Sequence, residues 1–422
     1  MHFHRKVLAN GLRLITVPMK DNPTVTVMVL VEAGSKYETK KISGLSHFLE
    51  HMCFKGTEKR PKPIDIVREL DGLGSQYNAF TAQEMTGYYA KSDRKHVGTI
   101  LDVVSDIYLN STFPKPELEK EKGVIIEEIR MYRDMPTRHI HDVLMALLYG
   151  DQPAGWDIAG SEATVRGMTR ENMAAYRKKH YLSGATTVVV AGHIEPQEAE
   201  ERVERAFAGM PSGQKHPKVA VKEKQRRPNL SLVYKDTDQV HLALALRTFD
   251  LYDEAMPTMR VAAGVLGGGM SSRLFQKMRD ELGICYYVGA AHESFTDHGF
   301  LEVTAGVPAK RLAEAVSALM EELRRLKKAP VGAEELARVK EYLIGNMYLG
   351  LESSDSLAEF YGFQEIVRKP LQLPHEVAEK VRKVSASDVK RLVDAYFIPS
   401  GLNLALIGPV KNRKELEKLL YL

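Results

Sequence analysis

The chain has 422 residues, 44% of them hydrophobic and 27% charged, with a formal net charge of +4. That length is more than a single core and predicts two domains of ordinary globular composition, which excludes a disordered, fibrous or disulfide-framework protein. Two cysteines, Cys53 and Cys285, make no framework, and no run nears the roughly 18 apolar residues of a membrane span.

The N-terminus, Met1-His2-Phe3-His4, has neither an apolar signal core nor an Arg-rich transit segment, so the cytoplasm is the expected location. A turn at Asn10-Gly11 and the strand-like runs Leu12 to Val17 and Thr24 to Val31 follow. Then comes Gly44-Leu45-Ser46-His47-Phe48-Leu49-Glu50-His51-Met52. On a helix, positions i, i+3 and i+4 share a face, so His47, Glu50 and His51 point the same way. Two neutral imidazoles one turn apart suit Zn²⁺, and a carboxylate beside them that is not a ligand takes a proton from water on the metal. The order His-x-x-Glu-His is the inverted zincin arrangement. Five letters match by accident too readily to stand alone. Here Leu45, Phe48, Leu49, Met52, Cys53 and Phe54 cover almost every direction of the helix, so the segment is expected to be buried. Buried titratable groups need partners, and a metal supplies one; the blander alternative is a pair of core histidines bonded to backbone carbonyls.

Asn78-Ala79-Phe80-Thr81 reads as a strand, Gly87-Tyr88-Tyr89 precedes a helix over Val97 to Leu109, and Pro116 to Asp134 forms a second helix with an acidic first turn. A catalytic zinc needs a third protein ligand. On a wheel with Glu121 at zero, Ile125, Ile129, Val124 and Tyr132 mark an apolar arc, and Glu128 falls inside it at about 340°. Glu127 falls at about 240°, among Lys120, Arg130 and Glu119, where a solvated acid belongs. Glu128 is therefore the candidate third ligand and Glu121 the candidate support for a ligand; the alternative is two acids bridged to arginines in a core. The histidine pairs His2/His4 and His139/His141 lack an acid or thiol at useful spacing and read as surface residues.

The chain repeats itself. Thr169 to Gly192 aligns without a gap to Ser385 to Gly408, and a fainter match joins the Gly87 and Val97–Leu109 segments to Gly299-Phe300-Leu301 and Leu312–Leu326. Mixed strands and helices without strict alternation favour an α+β fold, here two homologous α+β domains. The expected division is 1–213, a linker at 214–228, and 229–422. The basic run Lys222 to Arg227 lacks interleaved aromatics, so it reads as solvated linker and not as a nucleic-acid patch. In the second half His241 to Arg247 reads as a strand. Gly267-Gly268-Gly269 lacks the Lys-Ser/Thr of a phosphate-cradling loop and reads as a turn before a helix.

Gly34-Ser35-Lys36-Tyr37-Glu38, the run Gly44 to Thr57, Asn78 to Tyr88 and Val124-Ile125-Ile126-Glu127-Glu128-Ile129 together resemble the pitrilysin/insulinase (M16) family of zinc peptidases, particularly bacterial members similar to the mitochondrial processing peptidase. The resemblance covers nearly the whole chain and is dense around these motifs. In that family the distal ligand follows the second histidine after 76 residues, which from His51 reaches Glu128. The resemblance implies one Zn²⁺ per chain held by His47, His51 and Glu128, Glu50 as general base and Glu121 as support. It implies an exposed edge strand at Asn78, Ala79 and Phe80 that pairs with peptide, and a second half without metal whose Arg279 and Tyr286 reach the substrate carbonyl, with Tyr287 as an alternative register. Expected substrates are unfolded peptides small enough to be enclosed by half of a clamshell and its mate. The expected partner is a second chain, in a homodimer or a heterodimer with a relative. Family members that serve as non-catalytic partners or assembly subunits lose one or more of the four motif residues; all four are present here.

Overall fold

A computed structural model describes residues 2–422. The strands fall into two sheets, and the sheets repeat one topology. The first half contributes β1 (His4–Val7), β2 (Arg13–Pro18), β3 (Thr24–Val31), β4 (Gln76–Thr81), β5 (Thr86–Asp93) and β6 (Thr186–Gly192), ordered β1-β2-β6-β3-β5-β4. The second half contributes β7 (Asn229–Tyr234), β8 (Gln239–Thr248), β9 (Val288–Ser294), β10 (Gly299–Pro308) and β11 (Leu402–Gly408), ordered β7-β11-β8-β10-β9. Apart from β1 the two orders correspond strand for strand, so the fold is α+β and duplicated. The repeat read from sequence has its cause in local chemistry. Thr169 and Ser385 each cap a helix, Arg170–His180 and Ala386–Tyr396, by a reciprocal side-chain and backbone exchange, and each helix leads into a buried central strand, β6 or β11.

Two compact units follow from this duplication, but they are not contiguous in sequence. One comprises residues up to Arg130, Asp157–Val219 and Tyr348–Pro374; the other comprises Met131–Trp156, Ala220–Met347 and His375–Leu422. The strands respect the expected halves at 1–213 and 229–422, and residues 214–228 carry no regular structure. Two helices do not respect them. The helix Ser354–Ile366 packs on β3 and β6, and the helix Pro136–Tyr149 packs on β8 and β11.

The reason is that both sheets are apolar on both faces. In the first unit Val25, Val27, Val29 and Val31 of β3 face the core built with α1 (Leu45–Cys53), α2 (Val97–Asn110) and α3 (Lys115–Asp134). By strand alternation Met28 and Leu30 face the other way. There Gly362 of the helix Ser354–Ile366 lies so close that an added Cβ would meet Leu30 at 2.8 Å. An ion network holds the same helix: buried Arg13 pairs with Glu32 at 2.8 Å and with Glu365 at 3.6 Å, and Arg368 pairs with Glu32 at 2.6 Å. In the second unit Leu242, Leu244 and Leu246 of β8 enter the main core, while Ala243 and Ala245 pack with Ile140, Val143 and Leu144. His139 and His141 thus lie on a helix, and His141 does have an acid partner, Glu302 at 2.9 Å.

Candidate metal centre

The site is built on α1, whose Leu45, Phe48, Leu49, Met52 and Cys53 are buried. Those residues fix the helix to the core and leave one face for His47, Glu50 and His51, all partly exposed. The imidazoles of His47 and His51 lie with ring centroids 4.6 Å apart. From α3, which starts one residue earlier than expected, Glu128 extends Oε2 to 3.7 Å from His47 Nε2 and 3.5 Å from His51 Nε2. The three donor atoms lie within 4.8 Å of one another, the only such His/Cys/Asp/Glu group among the described residues. Glu127, as the helical wheel requires, is exposed and paired with Arg130 at 2.7 Å. Val124 departs from the wheel: it is 52% exposed, because the buried face of α3 narrows to Leu118, Glu121, Ile125, Ile126 and Ile129.

Each donor has a physical support or lacks one. Glu121 is buried, its Oε1 2.9 Å from His51 Nδ1 and its Oε2 2.7 Å from Lys55 Nζ. Burial raises the Glu121 carboxyl, but the bonds to His51 and Lys55 outweigh it and hold the group below the usual carboxylate range. The bond also ties up His51 Nδ1 and leaves Nε2 to face Glu128. His47 Nδ1 is buried without a hydrogen-bond partner. Burial opposes a charge on His47, yet the Glu128 bond and the Glu50 and Glu128 charges prevail and raise its pKa. The field that favours a proton on that ring is the field that would favour a cation in its place. Two imidazoles with one carboxylate, leaving a further position open, is a donor set that fits zinc.

Glu50 is not among the converging donors. Its Oε2 accepts a 2.5 Å hydrogen bond from Thr81 Oγ1, and burial raises its carboxyl against the pull of Thr81 and both histidines. Thr81 closes β4, the last strand of its sheet, which pairs only with β5: Asn78 opposite Tyr89, Ala79 opposite Tyr88, Phe80 opposite Gly87. The other edge of β4 pairs with no further strand among the described residues, and the Ala79 N–H is taken by the side chain of Asn78 at 2.9 Å. Sequence reasoning assigned no role to Thr81, Lys55 or Glu38, although each lies in a motif quoted for the family resemblance.

The second unit has Arg279 in a π-helical turn, Gln276–Glu281, where its Nη1 donates to the Tyr286 carbonyl at 2.8 Å and its guanidinium stacks on Phe275 and Tyr286. Tyr286 is 74% exposed. Tyr287 is packed inward, its hydroxyl 2.9 Å from His241 Nδ1 and its pKa pushed up to about 12 by burial. Of the two tyrosines, Tyr286 is the exposed one, with one face of its ring against Arg279.

Comparison with known proteins gives this duplicated α+β chain, with its His-His-Glu cluster in the first half, a family. Residues 13–162 match the family described as insulinase (peptidase family M16), and residues 167–343 match the peptidase M16 inactive domain. A protein of Bacillus subtilis named an uncharacterized zinc protease is 34% identical over 97% of this chain and 98% of its own length. Proteins of the same description from Rickettsia felis and Streptomyces coelicolor are 31% and 30% identical, each over 97% of this chain and 98% and 90% of their own. The chain belongs to the insulinase family of peptidases, M16. Among solved structures, a peptidase M16 inactive domain from Pseudomonas fluorescens shares the fold at a TM-score of 0.90 and 18% identity, over 98% of this chain and all of that one. A protease from Helicobacter pylori does so at 0.88 and 21%, over 97% and 99%. No helix among the described residues is long and apolar enough to cross a membrane.

Proposed function

We propose that this chain is a zinc-dependent endopeptidase acting on unfolded peptides. The observation that carries the reading is the convergence of His47 Nε2, His51 Nε2 and Glu128 Oε2 beside a carboxylate, Glu50, that stands apart from them and is bonded to the edge strand of a sheet. When bound, zinc supplies a Lewis acid and lowers the pKa of coordinated water toward about 7. His47, His51 and Glu128 would hold the ion, and Glu121 keeps His51 in the tautomer that presents Nε2. Glu50 takes the proton of the attacking water at a carboxylate oxygen and hands it to the nitrogen of the departing amine. Its raised pKa suits a group that must both accept and release that proton. The edge position of β4 supports recognition of an extended peptide through main-chain pairing, with a substrate carbonyl displacing Asn78 from the Ala79 amide. Such pairing demands an unfolded chain and little sequence. The resemblance gives Arg279 and Tyr286 the role of donors to the carbonyl oxygen, which Tyr286→Phe tests through kcat. It also implies a protein that works as a homodimer or with a related chain.

The decisive experiment is cleavage of a quenched, unstructured peptide by zinc-loaded protein, with and without a chelator. Cleavage that the chelator stops and zinc restores is expected. Zinc binding without cleavage of any unstructured peptide overturns the reading in favour of a non-catalytic subunit.

A further inference from the structure

Helix α1 starts without a cap of its own. Gly44, at its N-terminus, has φ +94, and an added Cβ would come 2.4 Å from the Ala159 carbonyl oxygen, so no capping side chain fits there. The helix is nine residues long, below the roughly 12–15 that hold themselves together in water, and its first amides have no acceptor within the helix. Glu38, upstream of the helix, supplies what is missing. Its Oε2 accepts the Gly44 N–H at 2.7 Å and its Oε1 accepts the Ser46 N–H at 2.6 Å. The residue is 3% exposed. Ser46 is fixed a second time, its hydroxyl 2.8 Å from that of Tyr176, which donates to the Gly34 carbonyl at 3.2 Å.

A buried carboxylate is a costly way to cap a helix, since Ser, Thr or Asp at an exposed N-cap does the same for less desolvation. The position explains the choice. His47 follows Ser46 directly, inside the first turn, where the helix dipole presents its positive end. A divalent cation held by His47 would sit against that positive end, and a negative charge seated on the same amides offsets it. Burial leaves the Glu38 carboxyl raised to about 8 even though the Ser46 and Gly44 bonds and the His47 charge pull it down, and a cation beside it would favour the carboxylate further.

We infer that Glu38 is a positioning residue for the metal centre: its carboxylate pins the first turn of α1, which sets His47, and offsets the positive helix end beside the ion. This inference rests on the metal reading above and deepens it.

Zinc affinity of the metal-stripped protein, measured by competition with a chromogenic chelator, tests it alongside the melting temperature of each metal-free variant. Glu38→Gln keeps the shape and an acceptor but removes the charge; Glu38→Asp keeps the charge on a shorter arm. The expected order of affinity is wild type, then Glu38→Asp, then Glu38→Gln, with the last weaker by about threefold to thirtyfold. The Co²⁺-loaded Gln variant should also show an altered d–d spectrum. Zinc affinity in Glu38→Gln within twofold of wild type, whatever its melting temperature, overturns the inference. If Glu38→Gln does not fold, Glu38→Asp decides: a loss of zinc affinity of more than about twofold with an altered cobalt spectrum supports the positioning role, and affinity within about twofold of wild type overturns it. His47→Ala separates the two readings: a wild type that binds no more tightly than His47→Ala refutes the metal centre itself, and the role of Glu38 falls with it.

Discussion

Replacing Glu121 by Gln tests whether the donors are held in place from behind. Both oxygens of this buried carboxylate are committed, Oε1 to His51 Nδ1 at 2.9 Å and Oε2 to Lys55 Nζ at 2.7 Å. A glutamine amide has one acceptor and one donor end, so in either orientation its NH₂ faces a donor, the imidazole N–H or the ammonium. The variant therefore loses one charge-assisted hydrogen bond outright, about 1.5–3 kcal/mol. If that loss falls on the orientation and basicity of His51, zinc affinity drops by about 10- to 100-fold, the range seen when groups behind metal ligands are removed. Chelator competition on metal-stripped protein measures it, with Glu127→Gln as control. Glu127 is exposed and paired only with Arg130, a surface bridge worth about 0–1 kcal/mol, so its loss should leave zinc affinity unchanged. Glu121→Gln and Glu127→Gln binding zinc alike would refute the reasoning.

Other outcomes follow from the same geometry. Glu50→Gln should bind zinc normally and lose about 10²–10⁴ in kcat, since it removes the proton carrier and leaves the ligands intact; a variant with near-normal turnover removes Glu50 from the mechanism. Peptide substrates N-methylated at single backbone amides should lose kcat/KM with a period of two, because only alternate amides face the β4 edge. A flat profile argues against strand addition. His180, 2% exposed, has its pKa pushed down to about 4 by burial, with Lys179 and His216 adding to it. The unfolded chain then binds a proton between about pH 6.5 and 4 that the folded chain refuses, so this contribution to stability is present above pH 6.5 and is lost as pH falls. The loss is on the order of 2 kcal/mol at pH 5. Denaturant unfolding of His180→Phe at pH 7.5 and 5 should show a smaller pH difference than wild type by that amount, and an unchanged difference refutes the assignment.

Much of the centre was legible in the residues themselves, since helical spacing is a strong constraint. His47, Glu50 and His51 share a face because 3.6 residues make a turn, and the same period separates buried Glu121 and half-buried Glu128 from solvated Glu127. The duplication was legible for a similar reason: Thr169 and Ser385 cap helices by local chemistry that needs nothing distant. Contacts between segments far apart in sequence left no such trace. Neither the bond of Thr81 to Glu50 nor the seating of Glu38 under α1 has a periodicity to betray it, and the orientation of Tyr286 outward and Tyr287 inward depends on where His241 lies. The exchange of the helices Pro136–Tyr149 and Ser354–Ile366 was equally hidden. An apolar helix face specifies that it must be covered, and many sheet faces satisfy that demand. The covering face was selected by close packing at Gly362 and by the charges of Arg13, Glu32, Glu365 and Arg368, which meet only once the chain has folded.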